Sequence, residues 1–301
     1  MSHKIRVASI SMAQEVRKPR TSDDNLRYVE EVVEELAPIR PDLVALPEIF
    51  PTAALDGDAQ RGPQTTDLIQ ELARRHRTFM VGSLYLERDG RRYNTALVVD
   101  REGMIVGRYD KVHPTEGEIA GGISPGVHGQ HPVQTEIGAI GMEVCFDANW
   151  PRDWEEQAAD GAQLIVFPSA FPAGRLIESL ALTYGVFVVP SVWSLHSGII
   201  DNTGRWVAKT DRFSRWAAAE IDLERTVFHW DQQGQRIKDI IRKYGSRIYV
   251  ETYGPEALFV LEPADADLAI DDIIAEYDLV TYRDYIARAT AAQDVAREEG
   301  A

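Results

Sequence analysis

The apolar residues of this chain arrive in short, dense runs. Residues 42–47 (Asp-Leu-Val-Ala-Leu-Pro), 163–167 and 186–191 are nearly all apolar and end at prolyl or polar turns. That is the pattern of strands buried on both faces. Between them lie stretches with helical spacing. Leu26, Val29, Val32, Val33 and Leu36 follow a capping cluster at residues 21–25, and residues 66–76, 150–159 and 175–184 read the same way. Residues 5–10 alternate as a strand. Residues 79–86, 93–99 and 104–109 are strands joined by turns at Asp89-Gly90 and Arg101-Glu-Gly103, and two more strands flank the turn at 201–204. A mixture of βα alternation and hairpins predicts sheets in layers, covered by helices, rather than an all-parallel fold.

From Leu223 onward the texture changes. Residues 232–244 predict a basic amphipathic helix, 247–252 and 257–261 short strands, 270–277 an acidic helix, and 282–301 a polar helix that frays. No Pro/Gly/Ser-rich linker precedes this stretch. The expected organisation is therefore a main domain over 1–222 and an extension over 223–301, packed on the core or on a neighbouring subunit. No internal repeat is evident.

Charge removes several functional classes. The 32 basic and 48 acidic residues give a net charge of −16, spread along the chain. No basic stripe is available for nucleic acid or for an anionic membrane surface. No apolar run approaches the roughly 20 residues that span a bilayer. The chain enters a strand at once, without the apolar stretch of a signal peptide. A soluble cytoplasmic protein is the expectation. There is no P-loop and no G-x-G-x-x-G opening a helix, so no nucleotide cofactor is expected.

Cys145 is the only cysteine, which excludes an internal disulfide and the usual structural zinc patterns. It stands where an apolar strand from Ile140 stops and a polar turn leads to Pro151, which can open a helix. Free backbone N–H groups at such an elbow favour a thiolate and can hold an oxyanion. Three charged residues also stand at or beyond strand ends: Glu48, Lys111 and Glu118. A carboxylate directly after a buried strand sits where water is scarce, and its pKa can rise toward that of a general base. A thiol with a pKa of about 8.5 needs such a base or a cation beside it. Histidine is the habitual partner, and His113 and His196 lie in segments that could reach the same sheet edge. No papain-like or caspase-like signature surrounds the thiol, however.

Two other motifs lead nowhere. Gly122-Ile-Ser-Pro-Gly126 has the G-x-S-x-G form, but Pro125 lacks the N–H that the oxyanion hole requires. His128 and His131 lack HExxH spacing and a third ligand, so no metal is expected.

Leu46-Pro47-Glu48, the segment Tyr109-Asp-Lys111-Val-His-Pro-Thr-Glu-Gly-Glu118, and Gly141-Met-Glu-Val-Cys145-Phe-Asp-Ala-Asn-Trp-Pro151 resemble the carbon–nitrogen hydrolase (nitrilase) superfamily in residue order and spacing. Pro168–Gly174 and Glu220-Ile-Asp222 extend the likeness, which covers residues 5 to about 222. The resemblance implies an α/β fold, a four-layer α-β-β-α sandwich that forms an αββα–αββα stack on pairing, in a homodimer or larger homo-oligomer. It implies Cys145 as nucleophile and Glu48 as base. Lys111, with the Phe146 N–H, would hold the oxyanion, and Glu118 would position the substrate or leaving amine. It implies no cofactor. Substrates would be small-molecule amides, N-carbamoyl compounds or nitriles. Many true nitrilases have Trp-Glu after the cysteine, whereas Phe146-Asp147 is closer to the amidase and carbamoylase branches. Hydrolysis of a linear amide or carbamoyl C–N bond through an acyl-enzyme is the leading expectation. A nitrilase, and a non-catalytic binding or assembly module, are the alternatives. Phe50, Phe146, Asn149, Trp150 and Phe171 are the expected pocket residues, although core packing explains the aromatics equally well.

Overall fold

The computed structural model describes residues 2–12, 21–51, 62–194 and 196–299. The strands run, in chain order, as β1 (Lys4–Ile10), β2 (Leu43–Ala45), β3 (Phe79–Arg88), β4 (Arg91–Val99) and β5 (Ile105–Asp110). They continue with β6 (Val133–Thr135), β7 (Gly138–Met142), β8 (Leu164–Ser169), β9 (Phe187–Val192), β10 (Gly198–Ile200), β11 (Trp206–Lys209) and β12 (Trp216–Asp222). The last three are β13 (Thr226–His229), β14 (Ile248–Tyr253) and β15 (Leu258–Pro263). The helices are α1 (Ser22–Leu36), α2 (Gly62–His76), α3 (Glu116–Ala120), α4 (Pro151–Ala159), α5 (Arg175–Tyr184), α6 (Ile237–Tyr244), α7 (Ile270–Tyr277) and α8 (Tyr282–Glu299).

The chain divides into two compact units, one of residues 5–182 with 186–221, the other of 1–4, 183–185 and 222–301. In the first unit, one sheet has the order β12-β1-β2-β3-β4-β5 and a second β6-β7-β8-β9-β10-β11. Each sheet has three parallel strands at its centre, β1-β2-β3 and β7-β8-β9, followed by two antiparallel ones. The sheets lie face to face, with β2 and β3 against β8 and β9. Two hydroxyls tie them: Ser9 donates to the Pro190 carbonyl (2.6 Å) and Ser191 to that of Ile10 (2.7 Å).

Helices cover the outer faces. The apolar stripe of α1 (Val29, Val32, Val33, Leu36) and that of α2 (Ile69, Leu72, Ala73) pack with Ala8, Ile10, Val44 and Met80 in one buried cluster. A capping box starts α1, with Asp24 N–H donating to the Thr21 hydroxyl (3.2 Å) and Thr21 N–H to the Asp24 carboxylate (3.0 Å). On the other face, Trp154 of α4 is fully buried and its ring lies 5.9 Å from that of Phe167 on β8. The layering is the expected α-β-β-α sandwich.

The second unit has its own antiparallel sheet, β13-β15-β14. Its core joins Phe228, Phe259 and Leu261 with Ile240 of α6 and Ile273 of α7. Arg225 pairs with Glu262 (2.9 Å) and Glu251 (3.1 Å) on two of its strands.

The boundaries differ from the sequence expectation where no period is long enough to read. The helix expected over 232–244 is α helix only from Ile237, because Gln232 is left-handed (φ 58°) and Gly234–Arg236 forms a 3-10 turn. Conversely, α2 starts earlier than residue 66, at Gly62-Pro63, where proline suits the first turn. Strand β13 and helix α3, of four and five residues, carry too few positions to display periodicity.

Candidate active site

The polypeptide leaves β2 through Leu46-Pro47 and delivers Glu48 into the interior, 2% exposed. The next residue, Ile49, has φ 37°, an uncommon strained conformation for a β-branched side chain. It is held there by its N–H donating to Ser83 Oγ (3.1 Å). The Glu48 carboxylate is fully engaged. Oε1 accepts from Lys111 Nζ (2.8 Å) and Asn94 Nδ2 (2.8 Å), and Oε2 from the Ala170 N–H (2.8 Å). Its carbonyl accepts from Trp193 Nε1 (2.6 Å).

Lys111 follows directly on β5 and is 1% exposed. Its backbone N–H continues the ladder by donating to the Asn94 carbonyl (2.8 Å). Its ammonium also donates to both oxygens of Glu118 (3.0 and 2.8 Å). Glu118 stands in the first turn of α3 and closes a capping box, accepting from the Thr115 N–H (2.8 Å) while its own N–H donates to Thr115 Oγ1 (3.2 Å). One cation thus lies between two carboxylates. Burial alone would push the Lys111 ammonium down, but the Glu48 charge, the neighbouring Cys145 sulfur and the Glu118 charge outweigh it and hold Lys111 above the ordinary lysine range. Burial likewise acts to raise Glu118, and Lys111 with the Thr115 and Asn94 donors brings it below its ordinary value.

Cys145 is 7% exposed and opens a 3-10 turn, Cys145–Asn149, with φ 53°. The first hydrogen bond inside that turn is Asp147 N–H to Val144 O (3.1 Å), so the Phe146 N–H comes before the ladder begins. Gln157 of α4 clamps the approach: Met142 N–H donates to its Oε1 (2.8 Å) and its Nε2 donates to Met142 O (2.6 Å). Gly141 makes this possible, since a Cβ there would lie 2.6 Å from Gln157 Oε1. The sequence expectation of a favoured thiolate is corrected here. Burial first, then the charge of Glu48, push the Cys145 thiol up to about 12, and Lys111 opposes them only in part. The resting sulfur carries its proton beside the Glu48 carboxylate.

A second buried acidic group adjoins the nucleophile segment. Tyr109 Oη lies 2.9 Å from Glu143 Oε2 and 3.0 Å from Asp147 Oδ2, and Gln157 Nε2 donates to Glu143 Oε1 (2.6 Å). Asp147 also accepts from the N–H groups of His113 (2.7 Å) and Val144 (3.0 Å). Burial, then the Asp147 charge, raises Glu143 well above the carboxylate range, and burial pushes Asp147 up to about 6.

The structure brings Glu48, Lys111, Glu118 and Cys145 together, and it sorts the five expected pocket residues differently. Phe171 lies in the loop next to Ala170, with its N–H donating to Ser169 Oγ (3.1 Å). Phe146 is partly exposed and meets Trp150 edge-on at 5.1 Å. Asn149 turns back on its own chain, donating to the Phe146 carbonyl (2.9 Å). Trp150, 38% exposed, stacks on the His113 ring at 4.0 Å. Phe50 is fully buried and belongs to the cluster beneath α1 and α2, the core-packing alternative for this aromatic. His113 pairs with Asp153 (2.7 Å), and the His196 ring lies by Trp206 at 6.5 Å.

Sequence reasoning missed Asn94, whose Nδ2 donates to Glu48 and also to Glu118 Oε1 (3.2 Å) while its own Oδ1 has no partner among the described residues. It missed Tyr85 as well, paired opposite Asn94 across β3 and β4, with a buried hydroxyl that has no partner among the described residues. A lone amide within the apolar half of a strand was the available signal for Asn94. Thr115-x-x-Glu118 was the signal for α3.

The sequence matches the family model described as Carbon-nitrogen hydrolase over residues 6–228. It is similar to the Omega-amidase NIT2-A of Xenopus laevis, 28% identical over 71% of this chain and 88% of that protein. It is also similar to the deaminated glutathione amidase of Bos taurus, 26% identical over 67% of this chain and 73% of that protein. Among solved structures it shares the fold of the amidase from Nesterenkonia sp. AN1, seen with the acetamide moiety of fluoroacetamide added covalently at its active-site cysteine. The TM-score is 0.66 at 19% identity, over 81% of this chain and 97% of that one. No helix among the described residues is long and apolar enough to cross a membrane.

Proposed function

The chain belongs to the carbon–nitrogen hydrolase family, and from that premise we propose that it hydrolyses a linear amide or N-carbamoyl C–N bond through an acyl-enzyme on Cys145. The observation that carries this reading is the buried Glu48–Lys111–Glu118 array gathered beside a protonated thiol. A thiol that titrates this high needs its proton taken during attack, and Glu48 is the base in place. The sulfur adds to the carbonyl carbon, the carbonyl π electrons move to oxygen, and Lys111 Nζ with the Phe146 N–H holds the resulting oxyanion. Collapse expels the amine, which leaves with the proton carried by Glu48. Water then adds to the thioester, giving its proton to Glu48, and the thiol is restored as the carboxylic acid departs. Glu118 keeps Lys111 in place and offers an acceptor to the substrate N–H. The omega-amidases and amidases among the relatives support the amide class.

Intact-protein mass spectrometry after mixing with a panel of amides, carbamoyl compounds and nitriles tests the proposal. Expected is an acyl adduct from amides or carbamoyl compounds that is missing in Cys145→Ala. Adducts and turnover from nitriles alone would replace the amide reading, and turnover retained by Cys145→Ala would end the scheme.

A further inference from the structure

We propose that His113, His128 and Asp153 form a binding site for one divalent transition-metal ion, with zinc the best match. The two imidazoles reach the two oxygens of one carboxylate. His113 Nε2 lies 2.7 Å from Asp153 Oδ2, and His128 Nδ1 lies 2.7 Å from Oδ1. One donor atom from each of the three residues falls within 4.8 Å of the other two. Bonds of about 2.0–2.1 Å in a tetrahedral zinc site set ligand atoms roughly 3.3 Å apart. The observed separations bracket that value, so small side-chain adjustments seat the ion. Two imidazole nitrogens and a carboxylate oxygen are a donor set that zinc favours.

Two of the three ligands are fixed in advance. Asp153 is 4% exposed on α4. The His113 ring lies flat on Trp150, with 8° between the planes, and the residue's backbone N–H is anchored on Asp147. His128 is half exposed and closes the site from the solvent side, where it also borders an open hollow of about 340 Å³ with Gly129 and Arg152. The fourth coordination position therefore faces water. To hold the ion, His113 and His128 would present the lone pairs of the ring nitrogens that face Asp153, Nε2 and Nδ1. The ion would tie the segment two residues beyond Lys111 to the helix that follows the Cys145 turn, stiffening both supports of the active site.

The test uses untagged full-length protein stripped with a chelator and titrated with ZnCl2 by calorimetry, with Co2+ absorption as a second readout. Expected are one equivalent bound, the d–d bands of tetrahedral Co2+, and a rise in Tm with zinc. His128→Ala, at a half-exposed position where folding is preserved, abolishes all three, and Asp153→Asn does the same. His131→Ala retains them, since His131 pairs instead with Asp160. Cys145→Ala also retains them. No stoichiometric binding to wild type, or binding that persists in His128→Ala, overturns the proposal. Loss of binding in Cys145→Ala assigns the metal to the thiol and overturns it equally.

Discussion

Two pairs of buried carboxylates adjoin the nucleophile, and they are neutralised in different ways. Glu48 and Glu118 share an ammonium, with Lys111 between them. Glu143 and Asp147 have no cation between them. They share a phenol, and Tyr109 has only one proton to give to two acceptors. The geometry is satisfied when a carboxyl proton completes the chain, one carboxyl donating to the Tyr109 oxygen and Tyr109 donating to the other. Burial raises both members of this pair, whereas Glu118 is held low by its lysine. A cation keeps buried carboxylates charged and able to take a proton. A shared proton instead turns them into hydrogen-bonding struts. The first arrangement suits acid–base work, and the second braces the Cys145 turn through the Val144 and His113 N–H groups.

Replacing the cation converts the first kind of pair into the second, and the largest effect is expected there. Lys111→Met leaves Glu48 and Glu118 buried without a positive charge, so one of them takes up a proton. Removing one partner of a buried ion pair costs about 3–5 kcal/mol. Loss of an oxyanion donor lowers kcat by on the order of 10²–10³. Urea unfolding and steady-state kinetics measure the two losses. Unchanged stability in Lys111→Met would mean that the two carboxylates do not depend on it.

Glu48→Gln separates charge from hydrogen bonding at the same place, and here two readouts move in opposite directions. Turnover falls by on the order of 10²–10⁴, the scale of losing a general base. The thiol becomes more acidic, because the Glu48 charge is one of the causes that push Cys145 up to about 12 while Lys111 pulls it down. The pH dependence of iodoacetamide alkylation should therefore shift to a lower midpoint than in wild type. A midpoint that stays or rises would show that Glu48 does not bear on the sulfur, and the contrast between the two carboxylate pairs would lose its chemical meaning.

Much of this layout is legible in the sequence, for a definite reason. Glu48, Lys111 and Cys145 each follow a strand, and strand ends in a layered α/β fold gather at one edge, so chain order and apolar runs suffice to place them together. Illegible were features set by partners distant in sequence. The thiol could be read as activated from the free backbone N–H groups of its own turn. Its actual state depends on Glu48, which arrives from the other sheet, and on how completely the site is closed. Phe50 and Phe171 look alike in sequence, yet one packs in the helix-covered core and the other lies in the loop beside Ala170. Asn94 hides within an otherwise apolar strand end, its role fixed by two carboxylates on other elements. His128 meets Asp153 of α4, a partner beyond the reach of any local motif.

The smallest change tests the second pair. A carboxyl whose pKa is raised on folding contributes stability below its unfolded pKa of about 4, and this is lost as pH rises through the folded value. For Asp147 the loss falls between about pH 4 and the folded value of about 6. For Glu143, raised well above the carboxylate range, the loss begins near the same unfolded pKa and ends at its own raised value. Glu143→Gln mimics the protonated acid, since its amide can donate to Tyr109 and its carbonyl can accept from Gln157. Near pH 5 the variant should unfold within about 1 kcal/mol of wild type, the worth of one adjusted hydrogen bond. As pH rises the wild type must ionise a buried acid and the variant need not, so the gap closes and then turns in favour of Glu143→Gln at high pH. Turnover near neutrality should stay within a few-fold. Urea titrations at the two pH values decide it: a variant crippled at both would make Glu143 a working charge, and the division between the lysine-held and the proton-held pair would fall.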